Sequence, residues 1–128
     1  MKRLNISSGA KWEEIVGYSR AVRIGNLIEV TGTAAVDGDK IIGKDNPYEQ
    51  TKFIINKIET ALNKAGAKLS DVIRTRIYVT DISKWEEVGK AHKEFFGEIK
   101  PATTMIEVKA LIDPELLVEI EVTALVAE

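Results

Sequence analysis

The spacing of apolar side chains along this chain switches between a period of two and a period near 3.6, and the switches outline its elements. Ala21–Ile24 and Leu27–Thr31 read as short strands joined at Gly25-Asn26, a dipeptide that tolerates positive φ. Ala34-Ala35-Val36 and Lys40-Ile41-Ile42 flank Asp37-Gly38-Asp39, which predicts a hairpin. Helical spacing is clearest at Ile54, Ile55, Ile58, Ala61, Leu62 and Ala65. Asn46 caps that segment, Pro47 fits its first turn, Glu49 stands three residues after the cap, and Gly66 suits its end. A second helix is predicted to open at Ser83, with Glu86 three residues later, and to end at Gly97. Its stripe is Trp85, Val88, Ala91, His92, Phe95 and Phe96, and its aromatic residues are expected in the core.

Between the helices Val72–Thr80 alternates, with Ile73, Ile77 and Val79 on one face and Arg74, Arg76 and Tyr78 on the other. Thr103–Val108 follows the second helix. Asp113-Pro114 then turns the chain into Leu117–Val126, where Val118, Ile120, Val122, Ala124 and Val126 share a face. This order predicts an α+β fold, two helices laid on one face of a mostly antiparallel sheet. The uncovered face is expected to carry Arg74, Arg76, Tyr78, Thr103, Met105, Glu107, Leu117, Glu119, Glu121 and Leu125. Two helices cannot cover both faces, so this mixed face must meet water or another subunit.

With 128 residues and no composition shift or linker, the chain reads as one domain, 1–128. Lys-Trp-Glu-Glu occurs at Lys11–Glu14 and again at Lys84–Glu87, but nothing around the copies matches, so it is not a repeat. An apolar fraction of 45% beside 30% charged residues is that of a soluble globular protein. No apolar run suits a bilayer, and Met1-Lys2-Arg3-Leu4-Asn5 lacks a signal-peptide core, so a cytoplasmic location without membrane attachment is expected. The absence of cysteine excludes disulfides, thiol catalysis and thiolate metal sites, and His92 is the only histidine, so no metal or other cofactor is expected. A net charge of −2, with signs interspersed, argues against a nucleic-acid partner but leaves room for a small anion held by one or two arginines.

Glu119 and Glu121, two apart on one strand face, suit acid/base work if burial shifts a pKa; they equally suit ion pairs with Arg74 and Arg76. Tyr18 suits either a ligand contact or packing. His92 has no carboxylate or histidine at ligand spacing and reads as an ordinary helical residue.

Several segments spread over the chain resemble one family. Gly17-Tyr18-Ser19-Arg20-Ala21-Val22 is similar to a Tyr-Ser-Gln-Ala-Val entry segment, Gly25-Asn26-Leu27-Ile28 to a second strand, and Asp71 to Asp81 to a central strand. Pro101-Ala102-Thr103-Thr104-Met105 through Val118-Glu119-Ile120-Glu121 resembles a Pro-Ala-Arg-Ser motif followed by a Val-Glu-Ile-Glu strand. On these residues the chain is identified as a member of the RidA/YjgF (reactive intermediate deaminase) superfamily. The resemblance implies a chorismate-mutase-like fold and a homotrimer with three ligand clefts between subunits. It also implies hydrolysis of imine or enamine metabolites to a keto acid and ammonia. In that branch the motif arginine grips the substrate carboxylate, a tyrosine shapes the cleft, and a glutamate on the last strand positions the attacking water.

Carried over residue by residue, Tyr18 matches the tyrosine and Glu119 the catalytic glutamate, but Thr103 stands where the arginine should be and Gly89 where an asparagine is usual. A threonine hydroxyl cannot replace two charge-assisted bonds worth ~1.5–3 kcal/mol each, a loss of two or more powers of ten in binding. Arg20 replaces a common glutamine and Arg76 a common small residue. Either could relocate the anion grip, with Thr103 expected on the same face as Glu119. Two functions follow: a divergent imine deaminase, or a non-catalytic trimer that binds small carboxylates. The ribonuclease or translation-inhibitor activity attached to this family fits less well, for want of a histidine pair or an aromatic-basic stripe.

Overall fold

The longest apolar stripe forms the longest helix, α2 (Pro47–Lys64). Asn46 caps it, its side-chain oxygen accepting the Glu49 N–H at 3.1 Å. Gly66, at φ 85°, turns the chain away from its end. Ile54, Ile55, Ile58 and Leu62 of this helix are fully buried and share one core with Ile28, Val30, Ile77, Val79, Val118, Ile120 and Val122 of the sheet. The computed structural model describes residues 1–127. Before α2 come β1 (Arg3–Ile6), α1 (Lys11–Val16), β2 (Ala21–Ile24), β3 (Leu27–Ala34), β4 (Val36–Asp37) and β5 (Lys40–Ile41). After it come β6 (Val72–Val79), α3 (Trp85–Phe96), β7 (Ala102–Glu107) and β8 (Val118–Leu125).

Six strands form one sheet in the order β1-β2-β3-β8-β6-β7, while β4 and β5 make a separate hairpin. All pairings in the sheet are antiparallel except β6 with β7, which run parallel through the α3 crossover. The α+β arrangement with α2 and α3 over one sheet face is thus the one the periodicity predicts. No helix among the described residues is long and apolar enough to cross a membrane.

Several local features differ from the prediction. The pattern contains no signal for β1 or α1. α1 exposes Trp12, Ile15 and Val16 and buries only Glu13, so it has no apolar stripe to detect. β3 continues past Thr31 to Ala34. The cap before α3 is Asp81 rather than Ser83: its carboxylate accepts the Ser83 N–H at 3.0 Å, and a single 3₁₀ turn, Ile82–Lys84, precedes the helix. Trp85 is half-exposed, because it is the first residue of α3 and the helix enters the core only a turn later, at Val88.

Two corrections concern which face a residue occupies. Along β6 the register slips between Val72 and Arg74, so Ile73 is extruded to solvent and Thr75 joins Ile77 and Val79 in the buried row. In β7 the parity is the reverse of the one expected. Thr103, Met105 and Glu107 pair with Thr75, Ile77 and Val79, which puts them on the helix-covered side. Ala102, Thr104 and Ile106 pair with Arg74, Arg76 and Tyr78 on the open side. Thr103 and Glu119 therefore lie on opposite faces of the sheet.

Candidate functional site

β3 and β8 pair Val30 with Val122 and next Thr33 with Ile120, so β3 holds one extra residue at Thr31-Gly32. A bulge of this kind re-aims neighbouring groups, and a glycine in it permits close approach. Gly32 uses that permission: a Cβ there would collide with the Glu119 carboxylate, which packs on the bare Cα.

Arg20, one residue before β2, reaches the same bulge. One terminal nitrogen donates to the Gly32 carbonyl and to the Thr33 hydroxyl, both at 3.2 Å, and that hydroxyl donates to the Thr31 carbonyl at 2.8 Å. Arg20 is only 8% exposed. Its Nε is buried without a hydrogen-bond partner among the described residues and lies 3.9 Å from a Glu13 carboxylate oxygen. The guanidinium carbon stands 5.9 Å from the centre of the Tyr18 ring, at the edge of cation–π range.

The acids around this arginine are in opposite situations. Burial pushes the Glu13 carboxyl up, but hydrogen bonds from Ser8 and Ser7 and the Arg20 charge outweigh it and hold Glu13 below the usual glutamate range. Glu119 is half-buried, and its carboxylate accepts no hydrogen bond among the described residues. Burial pushes it up, the Glu121 charge adds to the rise, and Arg20 pulls it part of the way back. Lys57 of α2 donates to the Val36 carbonyl at 2.9 Å, and burial, reinforced by Arg20, lowers its pKa.

Arg76 lies on the open face. It donates to the Thr123 hydroxyl at 3.3 Å and borders a broad, open concavity of about 820 Å³ on the uncovered face, with Arg3, Asn5, Glu29 and Glu121. Tyr18 stands on the rim of that concavity. Arg76 is paired with Glu121, and Tyr78 with Glu119, across β6 and β8. The expected ion pairs do not form, however. Glu121 accepts the Tyr78 hydroxyl, and Arg74 donates to Thr104 at 2.6 Å. Among the described residues the ion pairs are Arg20–Glu13, Lys44–Glu115 and Lys84–Glu87.

Of the five residues singled out from sequence, the fold gathers Arg20, Tyr18 and Glu119 around the bulge. It leaves Arg76 on the open face and sends Thr103 to the other side. Sequence reasoning misses Gly32, Thr33 and Glu13. Gly32 carries a readable sign, an isolated glycine inside a strand pattern. Glu13 carries none.

The sequence and the α+β architecture place the chain in a known family. The Endoribonuclease L-PSP family model matches residues 9–126, and the chain belongs to this family, the YjgF/RidA family. An uncharacterized protein of Streptomyces coelicolor is 40% identical over 119 residues, covering 93% of this chain and 89% of the relative. A RutC family protein of Pyrococcus abyssi is 37% identical over 108 residues, 84% of each chain. Among solved structures, a member of the highly conserved YjgF/YER057c/UK114 family from Mycobacterium tuberculosis superposes with a TM-score of 0.88. It is 55% identical, covering 98% of this chain and 100% of that one.

Proposed function

We propose that the protein hydrolyses small imine or enamine acids to the keto acid and ammonia, in clefts between the subunits of a homotrimer, with Glu119 as the acid/base group. The observation that carries this reading is Glu119 itself, half-buried, without a hydrogen-bond partner among the described residues, and with its pKa raised by burial. Water adds to the carbon of the protonated imine while Glu119 takes a proton from that water. Glu119 returns the proton to the nitrogen. The C–N bond then breaks, the hydroxyl gives up its own proton as the carbonyl forms, and ammonia departs.

Arg20 and Tyr18, beside Glu119, form the substrate-binding side, and Arg20 supplies the positive field that the motif arginine would have given. Arg76 lines the open concavity together with Tyr18 and Glu121 and is the second candidate for the anion grip. The reversed parity of β7 fits an intersubunit cleft: Thr103 and Glu119 lie on opposite faces of one chain, so a ligand touching both would need a second copy.

A second reading, a non-catalytic trimer that binds small carboxylates, is favoured by Thr103 in the arginine's place and by Arg20's existing bonds to Gly32 and Thr33. The two separate in an assay of ammonia and keto-acid release from imines generated in situ by an amino-acid oxidase. The wild type is expected to exceed the spontaneous rate, and Glu119→Gln to lose about a hundredfold or more of that excess. Silence from the wild type with activity in Thr103→Arg would establish the binding reading instead.

A further inference from the structure

The segment between β1 and β2 is fastened to the rest of the molecule by one side chain. Of residues 7–17 only Glu13 is buried. α1 makes at most marginal contact with any strand or other helix, and it leaves Trp12, Ile15 and Val16 exposed. Among the described residues, the hydrogen bonds of this segment all end within residues 7–18. Its base is pinned where Ile6 pairs with Ala21 and the Ile6 carbonyl accepts the Arg20 N–H. Each end carries a glycine in the left-handed region, Gly9 at φ 78° and Gly17 at φ 87°. A Cβ at either would meet nothing, so backbone freedom rather than space calls for glycine there.

The two halves of the fastening are unequal. The Glu13 carboxylate accepts from the Ser7 hydroxyl at 2.9 Å, from the Ser8 N–H at 3.1 Å and from the Ser8 hydroxyl, all inside the segment. It can leave the body with these partners and stay a satisfied anion. Arg20 would remain behind, held on the bulge by the Gly32 carbonyl and the Thr33 hydroxyl. Between the two, the buried Arg20 Nε–H has no acceptor among the described residues, because 3.9 Å is beyond hydrogen-bond length. The closed contact thus offsets the arginine's charge without satisfying its donor. A carboxylate oxygen at hydrogen-bond length does both.

We infer that α1 is a flap whose Glu13 carboxylate occupies Arg20 in the free protein and is displaced, with the flap pivoting on Gly9 and Gly17, when a small carboxylate takes the Nε–H. Glu13 is an internal competitor that sets which ligands enter: a neutral analogue has no charge with which to replace it. Tyr18, whose N–H donates to the Glu13 carbonyl at 3.0 Å, moves with the flap. The inference rests on the reading of Arg20 as the anion grip.

Trp12 rides on α1 and Trp85 is the only other tryptophan, so Trp85→Phe leaves one indole N–H resonance that reports the flap. In ¹⁵N spectra of that protein, pyruvate should shift the Trp12 resonance saturably, and pyruvamide should not. Adding Glu13→Gln should move the free protein's resonance toward the bound position and tighten pyruvate binding about fivefold. A Glu13 that only supports the fold predicts the opposite, weaker binding. In an Arg20→Met background Glu13→Gln should leave the affinity unchanged. Equal or weaker affinity in a folded Glu13→Gln protein overturns the inference, as does a Trp12 resonance indifferent to saturating pyruvate. If pyruvate binds and Arg20→Met does not weaken it, the latch is wrong and the cleft reading survives. If neither the wild type nor Glu13→Gln binds pyruvate, both fall.

Discussion

Replacing Arg20 with methionine keeps the length of the side chain and removes its charge and its donors. Two bonds from a charged donor are lost, to Gly32 and Thr33, nominally ~1.5–3 kcal/mol each. The buried arginine also carries a desolvation cost that the methionine does not, which offsets a large share of that loss. Glu13 loses a charge at 3.9 Å but keeps its bonds from Ser7 and Ser8, so it is not left bare. The balance is a loss of about 2–3 kcal/mol. With an m-value of ~1–3 kcal/mol/M, the urea midpoint should fall by roughly 1–2 M at pH 7, measured at one fixed protein concentration.

A double-mutant cycle with Glu13→Gln isolates the pair itself. A separation of 3.9 Å without a hydrogen bond, between two largely buried side chains, should give a coupling of about 1 kcal/mol. A coupling within about 0.3 kcal/mol of zero would show that Glu13 and Arg20 are merely adjacent. An unchanged midpoint in Arg20→Met would refute the larger claim, that this arginine holds the bulge on which Glu119 rests.

Two further outcomes follow from the same cluster. Gly32→Ala places a Cβ against the Glu119 carboxylate, and since the end of a flexible side chain is the easiest part to move, the fold should survive at a cost of ~1 kcal/mol while ammonia release falls sharply; full activity with an unmoved Glu119 in a crystal structure would count against the site. The folded-state pKa of Glu119 is raised above its ordinary value of 4.5, so its contribution to stability is present below that value and lost as pH rises through the folded pKa. Glu119→Gln does not titrate, so it should gain on the wild type between pH 4 and pH 8 in denaturation experiments, and a difference that stays constant over that range would contradict the raised pKa.

Much of this fold is legible wherever burial imposes a period, and much less where it does not. α2 is readable to the residue because cap, proline, apolar stripe and terminal glycine agree along one segment. β8 is readable because Val118, Ile120, Val122 and Ala124 are all buried, and a one-residue slip would expose the whole set. β7 has no such set: it is an edge strand, and Thr103, Thr104, Ile106 and Glu107 are all exposed. Alternation along it is real, yet nothing in its composition says which side faces the helices. Only pairing with β6 decides, and β6 itself slips by one residue at Ile73.

The same logic explains why the candidate site is only half legible. Glu119 can be placed on the open face because it alternates with buried residues on a regular strand, whereas what surrounds it depends on irregularities. The extra residue at Thr31-Gly32 brings a backbone carbonyl to Arg20 and bare Cα surface to Glu119, and no period announces either contact. The threonine at position 75 is the counterpart on the other face, a polar residue in a buried row that makes sense only when His92 and Thr103 are seen beside it. A regular strand puts side chains where their neighbours dictate. Holding a charged carboxylate without a partner requires the chain to depart from that regularity, so the positions where alternation fails are the ones to test for chemistry.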